Sequence, residues 1–142
     1  MEKYWLKSYP DDVPATIDPT EYGSLKEVAE KCCARFAQRD AYVSMDRAMT
    51  YGELDRESAA FAAWLQQRAQ ARPGTRIALM MPNVLQFPVA MFGAIRAGLT
   101  IVNVNPLYTW HELEHQVNDA GAEIIVVLEN FAHVVEQALP KT

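Results

Sequence analysis

Cysteine is almost missing from this chain: two occur in 142 residues, and they are neighbours, Cys32 and Cys33. Adjacent cysteines in a helix-period segment build no disulfide framework, which fits a reducing cytoplasm. Burial of at least one of the pair is a simpler expectation than a reactive thiol. Long apolar runs are missing too. The longest, Phe87 to Ile95, contains Pro88 and stops at Arg96, well short of the roughly 20 residues that span a bilayer. The start, Met1-Glu2-Lys3-Tyr4-Trp5, has no basic region followed by an apolar core, so no signal peptide is expected. Positive charge is in deficit, 13 Lys and Arg against 18 Asp and Glu for a net charge of −5, which argues against a nucleic-acid partner. Neither G-x-G-x-x-G nor G-x-S-x-G occurs, so a dinucleotide loop and a nucleophile elbow have no residues here.

What is present is a globular composition, half hydrophobic and 22% charged, in a chain long enough for one domain with a real core. Residues 1–23 read as an irregular arm. Pro10, Pro14 and Pro19 interrupt any period, and Tyr4, Trp5, Tyr9 and Tyr22 supply rings expected to pin the arm to a surface. Residues 24–142 read as one α/β unit. Ser24 to Glu27 has capping-box spacing, and Leu25, Val28, Ala29, Cys32 and Phe36 form the apolar stripe of the helix that follows. A short strand pair, Ala41 to Met45 and Ala48 to Thr50, leads into a second capped helix at Thr50 and Glu53, with Leu54, Phe61, Leu65 and Ala69 down one face. Pro73-Gly74 is a turn.

From Arg76 the rhythm changes. Strands are expected at Ile77 to Met81, Leu99 to Val104 and Ile124 to Leu128. Helices are expected at Leu85 to Ala97, Trp110 to Ala120 and Phe131 to Leu139, with Gly98 and Gly121 closing the first two. Continuous apolar strands alternating with helices predict parallel βαβ units, with a sheet covered on both faces and right-handed crossovers.

Two segments imitate catalytic motifs. His111-Glu112-Leu113-Glu114-His115 matches H-E-x-x-H, in which two histidines bind zinc and the glutamate activates water. The competing reading is local. Thr109 and Glu112 have capping-box spacing, which puts His111 in the first helical turn. At about 100° per residue, Trp110, Leu113, Val117 and Ala120 share one side of the helix, leaving His111 and His115 on the other, toward solvent. Glu129, His133 and Glu136 are the available third ligands, and no spacing selects one of them. The second segment, Gly93 to Thr100, nearly matches G-x-x-x-x-G-K-[ST]. Leu99 stands in place of the lysine, and a helix here feeds a strand where a phosphate loop runs the other way.

The block Val102-Asn103-Val104-Asn105-Pro106-Leu107-Tyr108-Thr109, then Glu112-Leu113 and Asn118-Asp119-Ala120-Gly121-Ala122, resembles the N-terminal region of adenylate-forming acyl-CoA synthetases. Arg76 to Asn83, Gly93 to Gly98 and Met49 to Leu54 occupy the matching earlier positions. The arm, with Trp5, Tyr9-Pro10, Val13-Pro14, Ile17 and Tyr22, resembles the start of bacterial long-chain fatty acid–CoA ligases.

The resemblance implies the N-terminal part of the adenylate-forming fold and an ATP-dependent activation of fatty acids to acyl-CoA through an acyl-adenylate. ATP, Mg²⁺ and coenzyme A would be cofactors of the whole ligase, and none is expected to bind this segment. The family's Ser/Thr/Gly-rich phosphate loop, its adenine and ribose contacts and its C-terminal lysine have no counterpart here, so no catalytic, cofactor-binding or metal-binding residue is carried over. Asn105 and Pro106 read as a turn capping a strand. The expected partners are the remainder of a ligase chain, a long-chain fatty acid for that whole enzyme, and a second copy through an exposed edge. A cytoplasmic location with peripheral contact to the inner membrane is the expectation. The alternatives are a lipid- or protein-binding module, using Phe87, Met91, Phe92 and Ile95 at helical spacing, and a zinc hydrolase built on His111, Glu112 and His115.

Overall fold

Ser24 stops the arm and starts the first helix, and both steps are visible as hydrogen bonds in the structure, a computed structural model that describes residues 3–142. Its hydroxyl accepts from the Glu27 backbone N–H at 3.1 Å, and the Glu27 carboxylate accepts from the Gly23 N–H at 2.7 Å. Both groups act as predicted, with the glutamate reaching one residue further back than a capping box requires. The helix, α1, runs Leu25–Arg35. Its core-facing residues are Ala29 and Cys33, while Leu25 is 70% exposed and Cys32 half-buried. The apolar face is therefore turned toward Cys33, not Cys32, because the contacts available are Met49 and Leu54 on the elements that follow.

The rings of the irregular arm depart from expectation. Within residues 3–23 only Leu6 is even half-buried, and Tyr4, Trp5, Tyr9 and Tyr22 are all exposed. Apart from a 3₁₀ turn at Tyr4–Ser8 the described residues of the arm form no helix or strand, and its rings find local partners instead of the core. Tyr4 meets the edge of Trp5 at 5.4 Å, and the Lys31 ammonium lies 5.3 Å from the centre of the Tyr22 ring. Met1 and Glu2, at the start of the predicted arm, lie outside the described residues.

Strands β1 (Asp40–Ser44) and β2 (Arg47–Thr50) pair antiparallel. They turn at Met45 and Asp46, both with positive φ, 50° and 59°. Helix α2 (Tyr51–Gln67) opens on the predicted capping box between Thr50 and Glu53. It ends two residues before Ala69, which packs on the core from outside the helix.

The second half alternates strand and helix as predicted: β3 (Arg76–Met80), α3 (Gln86–Arg96), β4 (Thr100–Asn103), α4 (Trp110–Ala120), β5 (Ile124–Val127) and a short α5 (Ala132–Ala138) between 3₁₀ turns. Gly98 and Gly121 close α3 and α4 with φ of +78° and +60°. The sheet is parallel with order β4-β3-β5. Central strand β3 divides the core by simple alternation. Ile77 and Leu79 face Leu65 of α2 and Ala90 and Ala94 of α3. Ala78 and Met80 face Leu113 and Val117 of α4 and Val135 of α5. Ile77 to Met80 are each fully buried, and each large apolar side chain so placed contributes about 1.5–3 kcal/mol.

Helices α2 and α3 cross closely because Gly93 has no side chain. A Cβ there would lie 2.7 Å from Phe61 Cδ1 and 3.0 Å from the Ser58 carbonyl oxygen. The same crossing carries a charged bolt. Arg96, its side chain 13% exposed, pairs with Asp55 of α2 and lies 3.9 Å from Glu30 of α1.

Candidate functional site

Open parallel sheets bind ligands outside the carboxyl ends of their strands, where successive connections run to opposite sides. This sheet has such a point: β3 leads through α3 to β4 on one side, and β4 leads through α4 to β5 on the other. The loops there are Met81 to Leu85, Val104 to Thr109 and Leu128 to Asn130. The polar group that shapes the middle loop, Asn105, serves the backbone. Asn105 Oδ1 accepts from the Leu107 N–H at 3.0 Å, and the Asn105 carbonyl accepts from the Tyr108 N–H at 3.1 Å. Asn105-Pro106 is thus the predicted strand-ending turn. The Asn83 carbonyl accepts from the Ser44 hydroxyl at 3.2 Å, tying the β1–β2 hairpin to this edge. Beside that bond lies a cavity of about 170 Å³, lined chiefly by Tyr42, Val43, Val84, Phe87 and Pro88. The three loops contain no Lys, Arg, His or Cys. The edge offers no cation for a triphosphate and no thiol or imidazole for covalent or general-base chemistry.

The H-E-x-x-H segment forms α4, and its groups are committed as the capping argument requires. Glu112 accepts from the Thr109 N–H at 2.8 Å and from the Thr109 hydroxyl at 2.7 Å. The backbone bond first, and the hydroxyl second, hold its carboxyl below the ordinary value of 4.5. A carboxylate so bonded is a poor base for activating water. His111 and His115 are exposed, while Leu113 and Val117 are buried on the opposite side and Trp110 and Ala120 half-buried. Glu129, His133 and Glu136 are all exposed, and among the described residues no three His, Cys, Asp or Glu come together as a metal cluster.

The remaining candidates resolve into packing. Gly98 terminates a helix and its N–H donates to the Ile95 carbonyl at 3.0 Å, so Gly93 to Thr100 is a helix end and not a phosphate cradle. Phe87 and Met91 pack on the Ile77–Leu79 side of the core, and Phe92 packs with Cys33, Met49 and Leu54. The stripe is spread over two clusters and lines no single acyl channel. Burial pushes the Cys33 thiol up from its ordinary value, which keeps it protonated and unreactive. The Arg96–Asp55 pair was not foreseen. Its only trace in the sequence is an arginine ending an apolar helix run, with its partner 41 residues away.

A parallel sheet covered by helices on both faces defines an α/β protein. The chain belongs to the AMP-binding enzyme family, whose profile matches residues 29–142. It is 54% identical over all 142 residues to the long-chain-fatty-acid–CoA ligase of Yersinia pestis, of which it covers 25%. It is 34% identical over 128 residues to the enzyme of the same name from Bacillus subtilis, covering 90% of this chain and 22% of that one. The chain thus spans about a quarter of the length of these relatives. Among solved structures, a benzoate CoA ligase from Burkholderia xenovorans superposes on 82% of this chain and 24% of its own, with a TM-score of 0.77 and 27% identity. A luciferase-like enzyme from the mealworm Zophobas morio shares the fold over 88% of this chain and 30% of its own, with a TM-score of 0.81 and 20% identity.

Proposed function

We propose that this chain is an architectural part of a long-chain fatty acid–CoA ligase, which makes acyl-CoA from fatty acid, ATP and coenzyme A, and that it holds none of that enzyme's catalytic residues. The observation that carries this is the combination of 54% identity along the whole chain with coverage of a quarter of the relative. The lack of Lys, Arg, His and Cys in the three loops at the carboxyl edge supports it from the other side. A triphosphate with Mg²⁺ does not fit these loops, since they present no Lys, Arg or His and Asn105 is committed to its own turn. No reaction step is assigned to them. The role left is to supply one wall of a larger domain, with the rest of a ligase chain as partner.

A chimera tests this. Replacing the matching quarter of the Yersinia pestis ligase with this chain should preserve oleoyl-CoA formation, while this chain alone should form no acyl-adenylate from ATP and oleate. A folded, soluble chimera without that activity would refute the ligase reading. Turnover by the chain alone would refute the architectural one.

Association with a second copy and peripheral contact with the inner membrane from the cytoplasmic side belong to the same proposal. Val43 at 70% and Met45 at 85% exposure, with the outer edges of β4 and β5 unpaired among the described residues, support a sticky surface. Among the described residues no helix is long and apolar enough to cross a membrane. Sedimentation with and without anionic vesicles checks both contacts: a monomer that ignores vesicles at high concentration rejects them.

A further inference from the structure

The outer face of α4 holds two imidazoles one helical turn apart. His111 and His115 are both exposed, in a polar depression they share with Glu114, Asn118 and Asp119. Side chains four positions apart on a helix have Cβ atoms about 5–6 Å from each other, a spacing at which two ring nitrogens reach one ion. Glu112 is withdrawn to the Thr109 cap, and among the described residues no third ligand completes a cluster. An ion held here keeps water in its remaining positions. That rules out a closed structural zinc site and leaves an open, two-point chelate.

Imidazole nitrogen selects late first-row ions over Mg²⁺ and Ca²⁺, and the order of affinities places Ni²⁺ and Cu²⁺ among the tightest divalent binders of that row. The neighbourhood adds a second observation. The His111 ring lies on the Trp110 ring, with centroids 3.3 Å apart and planes at 26°, and the Lys141 ammonium lies 3.7 Å from the centre of the same indole. The Trp110 indole thus holds His111 in a stack from which chelation must draw it.

We propose that His111 and His115 form a surface site for a divalent late transition ion such as Ni²⁺, and that occupancy moves the His111 ring from the Trp110 stack to the ion. This site is independent of the ligase reading: it needs neither ATP nor substrate, and it is distinct from a zinc hydrolase because Glu112 takes no part.

The experiment is a calorimetric titration of NiCl₂ into the chain free of any affinity tag, followed in parallel by tryptophan fluorescence. One ion per chain should bind with a dissociation constant in the micromolar range. His111→Ala and His115→Ala should each weaken binding by about tenfold or more, and circular dichroism should show both variants folded, since both positions are exposed. His133→Ala should leave binding unchanged. Trp110→Phe should retain binding and lose the Ni²⁺-dependent fluorescence change, although Trp5 and Trp64 remain. Absence of binding at millimolar Ni²⁺, binding indifferent to both α4 histidines, or binding lost in His133→Ala would each overturn the site. A fluorescence change that persists in Trp110→Phe would overturn the ring exchange.

Discussion

Gly93→Ala probes the tightest point between α2 and α3. The added Cβ would lie 2.7 Å from Phe61 Cδ1, 3.2 Å from Phe61 Cβ and 3.0 Å from the Ser58 carbonyl oxygen. Comfortable carbon contacts are about 3.5–4.0 Å. Part of the clash is with a side chain: Phe61 is half-buried and stacked on Trp64 at 5.9 Å, and Trp64 is 51% exposed. The Ser58 carbonyl is different. It belongs to the α2 backbone beside a side chain only 1% exposed, so relief there requires the helix itself to move. Overpacking of this kind costs about 1–3 kcal/mol, and exchanging glycine for alanine inside a helix returns about 1 kcal/mol. The expected net loss is about 1 kcal/mol. With a urea m-value of about 2 kcal/mol/M, the unfolding midpoint should fall by about 0.5 M. Gly93→Val adds two more carbons without alanine's helix preference and should cost about 3 kcal/mol. A Gly93→Ala protein with a midpoint at or above that of the parent would refute the reasoning, because it would show that α2 yields without cost. Pairing the change with Phe61→Leu separates the contributions: the ring contact is relieved and the carbonyl contact stays, so the penalty should shrink without vanishing.

Two further predictions concern local devices. Thr109→Ala should destabilise the chain by about 1 kcal/mol through loss of the α4 cap, read as a lower urea midpoint. The folded pKa of Glu112 is depressed below its ordinary 4.5, so its contribution is present above that value and is lost as pH falls through the lower folded value. A midpoint-against-pH profile should therefore be less steep below about pH 4.5 in Glu112→Gln than in the parent, and equal slopes would remove the cap's electrostatic role. Met45→Asn should stabilise by about 0.5–1 kcal/mol, because Met45 holds φ of 50° at an exposed hairpin tip that asparagine tolerates better. A lower melting temperature in that variant would mean that the methionine side chain contributes a contact outweighing the backbone strain.

How much was legible in the sequence follows the range of each interaction. Thr50 with Glu53, and Thr109 with Glu112, are three residues apart, and both boxes form as read. Gly98 and Gly121 close their helices for reasons contained in their own backbones. The alternation of apolar strands and helices was enough for a parallel sheet, but not for the order β4-β3-β5, since each strand was apolar enough to stand at the centre. The arm misled because aromatic content says that a ring favours contact and does not say that a surface lies within reach. On α1 Ala29 of the expected stripe is buried, but Leu25 is exposed and Cys33 is buried in place of Cys32: both cysteines fit a helical stripe, and only the position of Met49 and Leu54 decides between them.

The two motif imitations separate on the same ground. H-E-x-x-H specifies spacing, and spacing alone is satisfied by any helix with those letters. What decides the chemistry is where the glutamate's oxygens are engaged. In α4 one of them already accepts from the Thr109 N–H and hydroxyl, and that engagement was visible in the sequence because the cap lies within three residues. The carboxyl edge could not be judged in this way. Val102-Asn103-Val104-Asn105-Pro106 identifies the family through its pattern, yet its asparagines became interpretable only once Asn105 was seen accepting from Leu107 and Tyr108. In the turn after β4 the Asn105 side chain and carbonyl both serve the backbone, so turn geometry by itself accounts for the Asn-Pro pair there.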